Sequence, residues 1–219
     1  WSSDVCSSDL FFVDDNLLSD HAAAKTFLRA LVPLKLRWVS QASIDMTDDP
    51  ELMDLLEASG CVGNVIGFES LQRPSLREMA KGPALRSPRG GAGWDRYARA
   101  VEILRRHHLQ TWAAFTLGHD HDTEDTIRET CDFAIDNKFC FAAFNILMPY
   151  PKTPLYDRLA AEGRLLYDGQ WWLHPDYRFN HAAFRPLQMS PEALTEACWE
   201  ARRRWNGLRS EEHTSELQS

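Results

Sequence analysis

Short apolar runs that each end in a polar cluster punctuate this chain. They read FFVDDN (11–16), LRWVSQAS (36–43), VIGFES (65–70), TWAAFTLGHDHD (111–122) and FAAFNILMPYPKTP (141–154). Helix-like stretches lie between them. Apolar runs alternating with amphipathic helices predict parallel strands in βα units. Strands covered on both faces read as near-continuous apolar runs, as these do. The expected class is α/β, a partial β/α barrel with a helical and irregular C-terminal extension. In such barrels functional side chains gather where strands end. The polar residues at those ends are Asp14, Asp15, Ser40, Gln41, Ser43, Glu69, Ser70, His119 and Asn145.

Breaker and cap residues set the element boundaries. Ser19 or Asp20 caps a helix over 20–31, which Pro33 ends; a strand follows at 36–42. Pro50 opens a helix over 50–59 and Gly60 stops it. A strand at 62–68 precedes a short helix from Pro74 to about Ala80 and a glycine- and proline-rich loop at 81–93. A helix at 94–108 carries Tyr97, Val101 and Leu104 on one face. A strand at 110–117, a helix at 123–137, a strand at 140–148 and a short helix at 154–162 come next. Residues 164–187 are irregular and aromatic-rich, and Ser190-Pro191-Glu192 begins a last helix over 190–206.

The two ends change how the bulk numbers are read. Residues 1–10 (WSSDVCSSDL) and 209–219 (RSEEHTSELQS) resemble translated sequencing adapter read from opposite strands, and are set aside as artefactual. The native part is then expected to be a fragment over 11–208, with a barrel over 11–163 and an extension over 164–208. The formal net charge is −8; each end segment carries −2, leaving −4 on the native part. A mildly acidic chain of mixed charge has no electrostatic footprint for nucleic acid. No apolar run reaches the roughly 18 residues of a membrane span. The cysteines outside those ends, Cys61, Cys131, Cys140 and Cys198, show neither CxxC nor CxxxCxxC spacing, and reduced buried thiols in a cytoplasmic protein are expected.

The segments FFVDDN, RWVSQAS, 60–70, FTLG (115–118) and PYPKTPLYDRL (149–159) with EGR (162–164) together resemble radical S-adenosylmethionine (SAM) enzymes. The nearer likeness is to the class that often carries an N-terminal cobalamin-binding domain. The resemblance spans most of 11–200. It implies a partial β/α barrel whose first strand leads to a CxxxCxxC loop holding a 4Fe–4S cluster. Reductive cleavage of SAM there yields a 5′-deoxyadenosyl radical, and the cofactors carry the hard chemistry. That strand and its three cysteines are absent here and would lie upstream of Phe11. An upstream cobalamin domain, an external electron donor and a small-molecule substrate are the implied partners. Methyl transfer, oxidation and cyclisation all remain open as the reaction.

The resemblance assigns cofactor-binding roles by position. Asp14, Asp15 and Asn16 meet the SAM amino group, which needs acceptors; the alternative is a capped turn before the helix at 20. Strand alternation puts Gln41 and Ser43 on one face and Ser40 on the other, which favours Gln41 and Ser43 as ligands. Glu69 and Ser70 accept from a ribose or the amine, unless Glu69 merely pairs with Arg73. Gly118 admits adenine or is an ordinary turn glycine. Asn145 bonds the nucleoside. His119 and His121 have HxH spacing, but with no third ligand they read as a solvated loop. Trp171, Trp172, His174, Tyr177 and His181 either enclose an apolar substrate or pack against the barrel. Arg202, Arg203 and Arg204 read as a solvated helix face. Two other functions compete: a non-catalytic SAM-binding scaffold, and an unrelated metal-dependent barrel enzyme built on His119 and His121.

Overall fold

A computed structural model describes residues 9–72, 75–76 and 93–216. Five strands form one sheet in the order β1-β2-β3-β4-β5: β1 (Leu10–Phe12), β2 (Trp38–Ala42), β3 (Cys61–Glu69), β4 (Gln110–Leu117) and β5 (Phe141–Ile146). β1 and β2 pair in parallel with Phe12 opposite Ser40, and β2 and β3 with Ala42 opposite Ile66. The helices are α1 (His21–Leu31), α2 (Pro50–Ala58), α3 (Gly93–Arg106), α4 (Glu124–Asp136), α5 (Pro154–Ala161) and α6 (Pro191–Glu216). The strand–helix alternation expected from the apolar runs is thus the observed one. The helix expected from Pro74 and the loop at 81–93 lie largely outside the described residues.

The chain divides into two compact units. The first comprises Trp1–Phe68, Met79–Ala114 and Asn137–Ala142. Its helices start on side-chain caps. Asp20 accepts from the amides of Ala22 and Ala23 at 3.0 and 3.1 Å, and Asp49 from Leu52 at 3.1 Å, each satisfying donors a helix start leaves open. Gly60 ends the α2 turn at φ +84°, and a Cβ there would lie 1.9 Å from the Leu36 carbonyl oxygen. Only glycine fits. The core gathers Trp38, Phe68 and Tyr97, all fully buried. The polar edges of these rings are satisfied: Trp38 Nε1 donates to Ser59 O at 3.0 Å and the Tyr97 hydroxyl to Phe68 O at 2.6 Å. Tyr97, Val101 and Leu104 are buried together, as their spacing predicts.

The second unit comprises Glu69–Glu78, Phe115–Asp136 and Ala143–Ser219. Phe115 of β4 stacks on Phe144 of β5, with centroids 5.4 Å apart, and meets Phe133 of α4 edge-on. Thr153 caps α5 by accepting from Tyr156 N at 3.2 Å. The irregular 164–187 segment is tied down by an antiparallel bridge between Leu165 and Phe184.

Several boundaries differ from expectation. β2 begins at Trp38 rather than 36, because a 3-10 turn over Val32–Leu34 and left-handed Lys35 (φ 50°) occupy the approach. β1 begins at Leu10, inside the adapter-like segment, and ends at Phe12, so Asp14–Asn16 belong to a turn. α6 runs to Glu216 rather than 206, since its last residues contain no proline and many good helix formers.

Candidate active site

In the first unit the candidate positions follow β1 and β2. Asp14 and Asp15 are exposed and Asn16 is half-buried. The Asn16 carbonyl accepts from Ser19 N at 3.2 Å, so the segment is a turn leading into α1. Its side-chain oxygen is a different matter. Asn16 Oδ1 is buried and has no hydrogen-bond partner among the described residues, which makes it an acceptor suited to a donor such as an ammonium. β2 alternates as expected: Ser40 is fully buried and accepts from Asn64 Nδ2 at 3.0 Å, while Gln41 and Ser43 are half-buried on the other face.

The second unit holds Glu69, Ser70, Gly118 and Asn145. Glu69 ends β3 in the left-handed region at φ 62°, unusual for a residue with a Cβ. Thr116 Oγ1 donates to its Oε2 at 2.8 Å. The alternative partner, Arg73, lies outside the described residues. Ser70 is buried and turns inward on the backbone, accepting from Gln72 N at 3.0 Å. Gly118 has φ +99°, and a Cβ would approach Leu194 Cδ2 to 2.6 Å and Phe184 to 3.3 Å. Its need for glycine therefore comes from α6 and the irregular segment, as well as from the turn. Asn145 is exposed, and its Oδ1 accepts from Arg202 Nη2 at 2.7 Å.

The segment after β4 corrects the expectation of a solvated loop. His119, Asp120 and Asp122 are all buried, at 4%, 7% and 4% exposure; only His121 is exposed. One oxygen of Asp122 accepts from Gly118 N at 2.8 Å and His119 N at 3.0 Å, folding the segment back on itself. Burial pushes the Asp122 carboxyl above its ordinary range, against the charge of His119 and those two amides. Asp120 bonds Arg164 at 2.6 Å and also Arg158. Burial raises the Asp120 carboxyl, but the two guanidinium groups outweigh it and hold the group below the usual range. Among the described residues no cluster of three metal-ligating side chains exists, so the His119–His121 metal reading has no support there.

Arg202 also departs from the expected solvated face. It donates from Nε to Phe144 O at 2.7 Å and lies over Trp199 and Phe179. Arg203 and Arg204, by contrast, make surface pairs with Glu196 and Asp132. Sequence reasoning missed Thr116 and Asn180. Thr116 carries a signal, an acceptor-seeking hydroxyl two residues before a strand-ending glycine. Asn180 carries none.

The aromatics of 164–187 form one cluster. Trp171 donates from Nε1 to Pro149 O at 3.3 Å and meets Tyr150, Trp172 and Tyr177 with centroids 6.0, 5.5 and 4.9 Å away. Tyr167 contacts His174 and Tyr177. Trp171 is half-buried, whereas Trp172 (44%), Tyr150 (59%) and Leu173 (69%) show large exposed faces. Packing accounts for the first and leaves the others as surface.

No family model matches the chain. It is 30% identical over 185 residues to the bacteriochlorophyllide d C-12(1)-methyltransferase of Chlorobaculum tepidum, covering 84% of this chain and 38% of that protein. It is 26% identical over 178 residues to the hopanoid C-2 methylase of Rhodopseudomonas palustris, covering 78% and 32%. The chain thus spans about a third of the length of these relatives. In fold it resembles the radical S-adenosylmethionine methyltransferase TsrM of Kitasatospora setae, solved with cobalamin and a 4Fe–4S cluster bound. The TM-score is 0.55 at 23% identity, over 70% of this chain and 30% of that one. Among the described residues no helix is long and apolar enough to cross a membrane.

Proposed function

Because this chain belongs to the radical S-adenosylmethionine superfamily, we propose that it is the barrel portion of an enzyme that methylates a small-molecule substrate using SAM, a 4Fe–4S cluster and cobalamin. Glu69 is the observation that carries the reading. A left-handed non-glycine residue costs about 1–3 kcal/mol and persists where the surroundings demand it. Here the strained residue is a half-buried carboxylate at a strand end, fixed at Oε2 by Thr116. An ionised carboxylate accepts several donors at once, which suits ribose hydroxyls or an ammonium. Asn145 offers a second polar group in the same unit.

The cluster itself does not fit the cysteines described. Cys61, Cys131, Cys140 and Cys198 are not gathered: among the described residues no group of three His, Cys, Asp or Glu side chains is placed to hold a metal, whereas the cluster takes three thiolates on one loop. The reading therefore draws the cluster ligands from elsewhere in the parent protein, on a CxxxCxxC loop. When bound, the reduced cluster would supply the electron that splits SAM, and cobalamin the methyl carrier; an external donor would restore the electron. The exposed faces of Tyr150, Trp172 and Leu173 would take a large apolar substrate, the kind of molecule for which the two methylating relatives are named.

The test uses the full-length protein, reconstituted with iron and sulfide without oxygen. Dithionite should bleach an iron–sulfur band, and added SAM should be consumed. Glu69→Gln should lower SAM consumption at least tenfold, about 1.4 kcal/mol, with the band intact. A wild-type protein that forms no such band overturns the proposal.

A further inference from the structure

Asn145 and Arg202 are joined in a way that fixes what Asn145 can offer. Arg202 lies on α6 and reaches back to β5. Its Nε donates to Phe144 O and its Nη2 to Asn145 Oδ1, both at 2.7 Å. Its guanidinium carbon sits 5.2 Å from the Trp199 ring centroid and 5.8 Å from that of Phe179. Surface arginines normally keep much of their rotamer freedom. Two charge-assisted hydrogen bonds and two aromatic faces hold this one in place. Arg203 and Arg204 beside it make only exposed ion pairs, which are worth little.

We propose that Arg202 is a positioning residue for Asn145 and that it makes the end of β5 a hydrogen-bond donor site. An asparagine amide has one acceptor oxygen and a two-proton donor nitrogen. Arg202 takes one lone pair of the oxygen and fixes which way the amide faces. The Nδ2 group, for which the described residues provide no partner, is left exposed and able to donate. The ligand atom meeting Nδ2 must then be an acceptor. This rests on the SAM reading, in which that atom is a purine ring nitrogen of the nucleoside. An ammonium there would meet the like charge of the Arg202 guanidinium.

The experiment measures binding of S-adenosylhomocysteine to the full-length protein by calorimetry. Asn145→Ala should weaken binding about tenfold, the loss of one well-made hydrogen bond. Arg202→Met keeps the chain length against Trp199 and Phe179 but removes both donors, and should weaken binding by a similar factor. The double variant should lose no more than either single one, since the two act as a unit. Asn145→Asp gives the readout that a structural role would not move: it strengthens the pair with Arg202 yet offers no donor, so binding should fall as in Asn145→Ala. Additive losses, or wild-type affinity in Arg202→Met or Asn145→Asp, overturn the inference. Absence of binding by the wild type sinks the SAM reading and the inference with it; wild-type binding with insensitive variants sinks the inference alone.

Discussion

At β5, a peptide oxygen and a peptide nitrogen that a further strand would pair are taken instead by side chains; at β1, nothing described takes their place. Asn180 acts as a one-residue strand. Its Oδ1 accepts from Ile146 N at 2.9 Å and its Nδ2 lies 3.4 Å from Phe144 O, which Arg202 also holds. Asn180 is buried and left-handed, at φ 58°, a conformation asparagine tolerates better than most residues. β1 is three residues long and pairs only with β2 among the described residues. Phe12 packs against Phe27 and Trp38, while Phe11 (49%) and Val13 (75%) are exposed. A side-chain cap ends a sheet, whereas an uncapped edge invites another strand. In the reading proposed above, the strand before the three-cysteine loop would pair with β1.

The largest effect should come from Asp120→Ala. It leaves Arg164, whose side chain is 9% exposed, without its buried partner and loosens the segment that delivers Asn180. Breaking such a pair costs about 3–5 kcal/mol. Urea unfolding should show it, and a loss under 1 kcal/mol would mean the segment is held by other means. Asn180→Ala should cost about 2 kcal/mol by stranding the Ile146 amide. Hydrogen exchange at Ile146 should quicken in step; unchanged exchange would mean that Asn180 does not cap this edge. The same pair sets a pH dependence. Asp120 titrates below its ordinary value of 3.8 when folded, so its contribution is full above about pH 4 and is lost as pH falls through the lower folded value. The wild type should lose more stability than Asp120→Ala between pH 5 and 2, and parallel losses would contradict the assignment. The smallest change in stability, under about 0.5 kcal/mol, is expected for Phe11→Lys. It should nonetheless raise the concentration at which the 1–219 chain aggregates, because it places a charge on the uncapped edge.

What local pattern encodes was legible in the sequence. β4 falls at 110–117 as expected, its buried and half-exposed residues alternating. α2 was readable from Pro50 and Gly60 because a missing amide and a left-handed turn are local properties. The contacts that finish the site are not local. Asn180 meets residues 34 and 36 positions earlier in the chain, and Arg202 those 57 and 58 earlier. No periodicity announces such pairs. His119 misled for the same reason: a run of polar residues reads as solvated unless the covering segment is known. Gln41 and Ser43 against Ser40 could be separated from sequence, since two-residue alternation decides the face.

The most direct measurement is to read the coding sequence upstream of residue 11. The account predicts an apolar strand followed by a CxxxCxxC loop within a few tens of residues, positioned to pair with the uncapped β1 edge. An upstream strand lacking those cysteines would contradict it and return the chain to the scaffold reading.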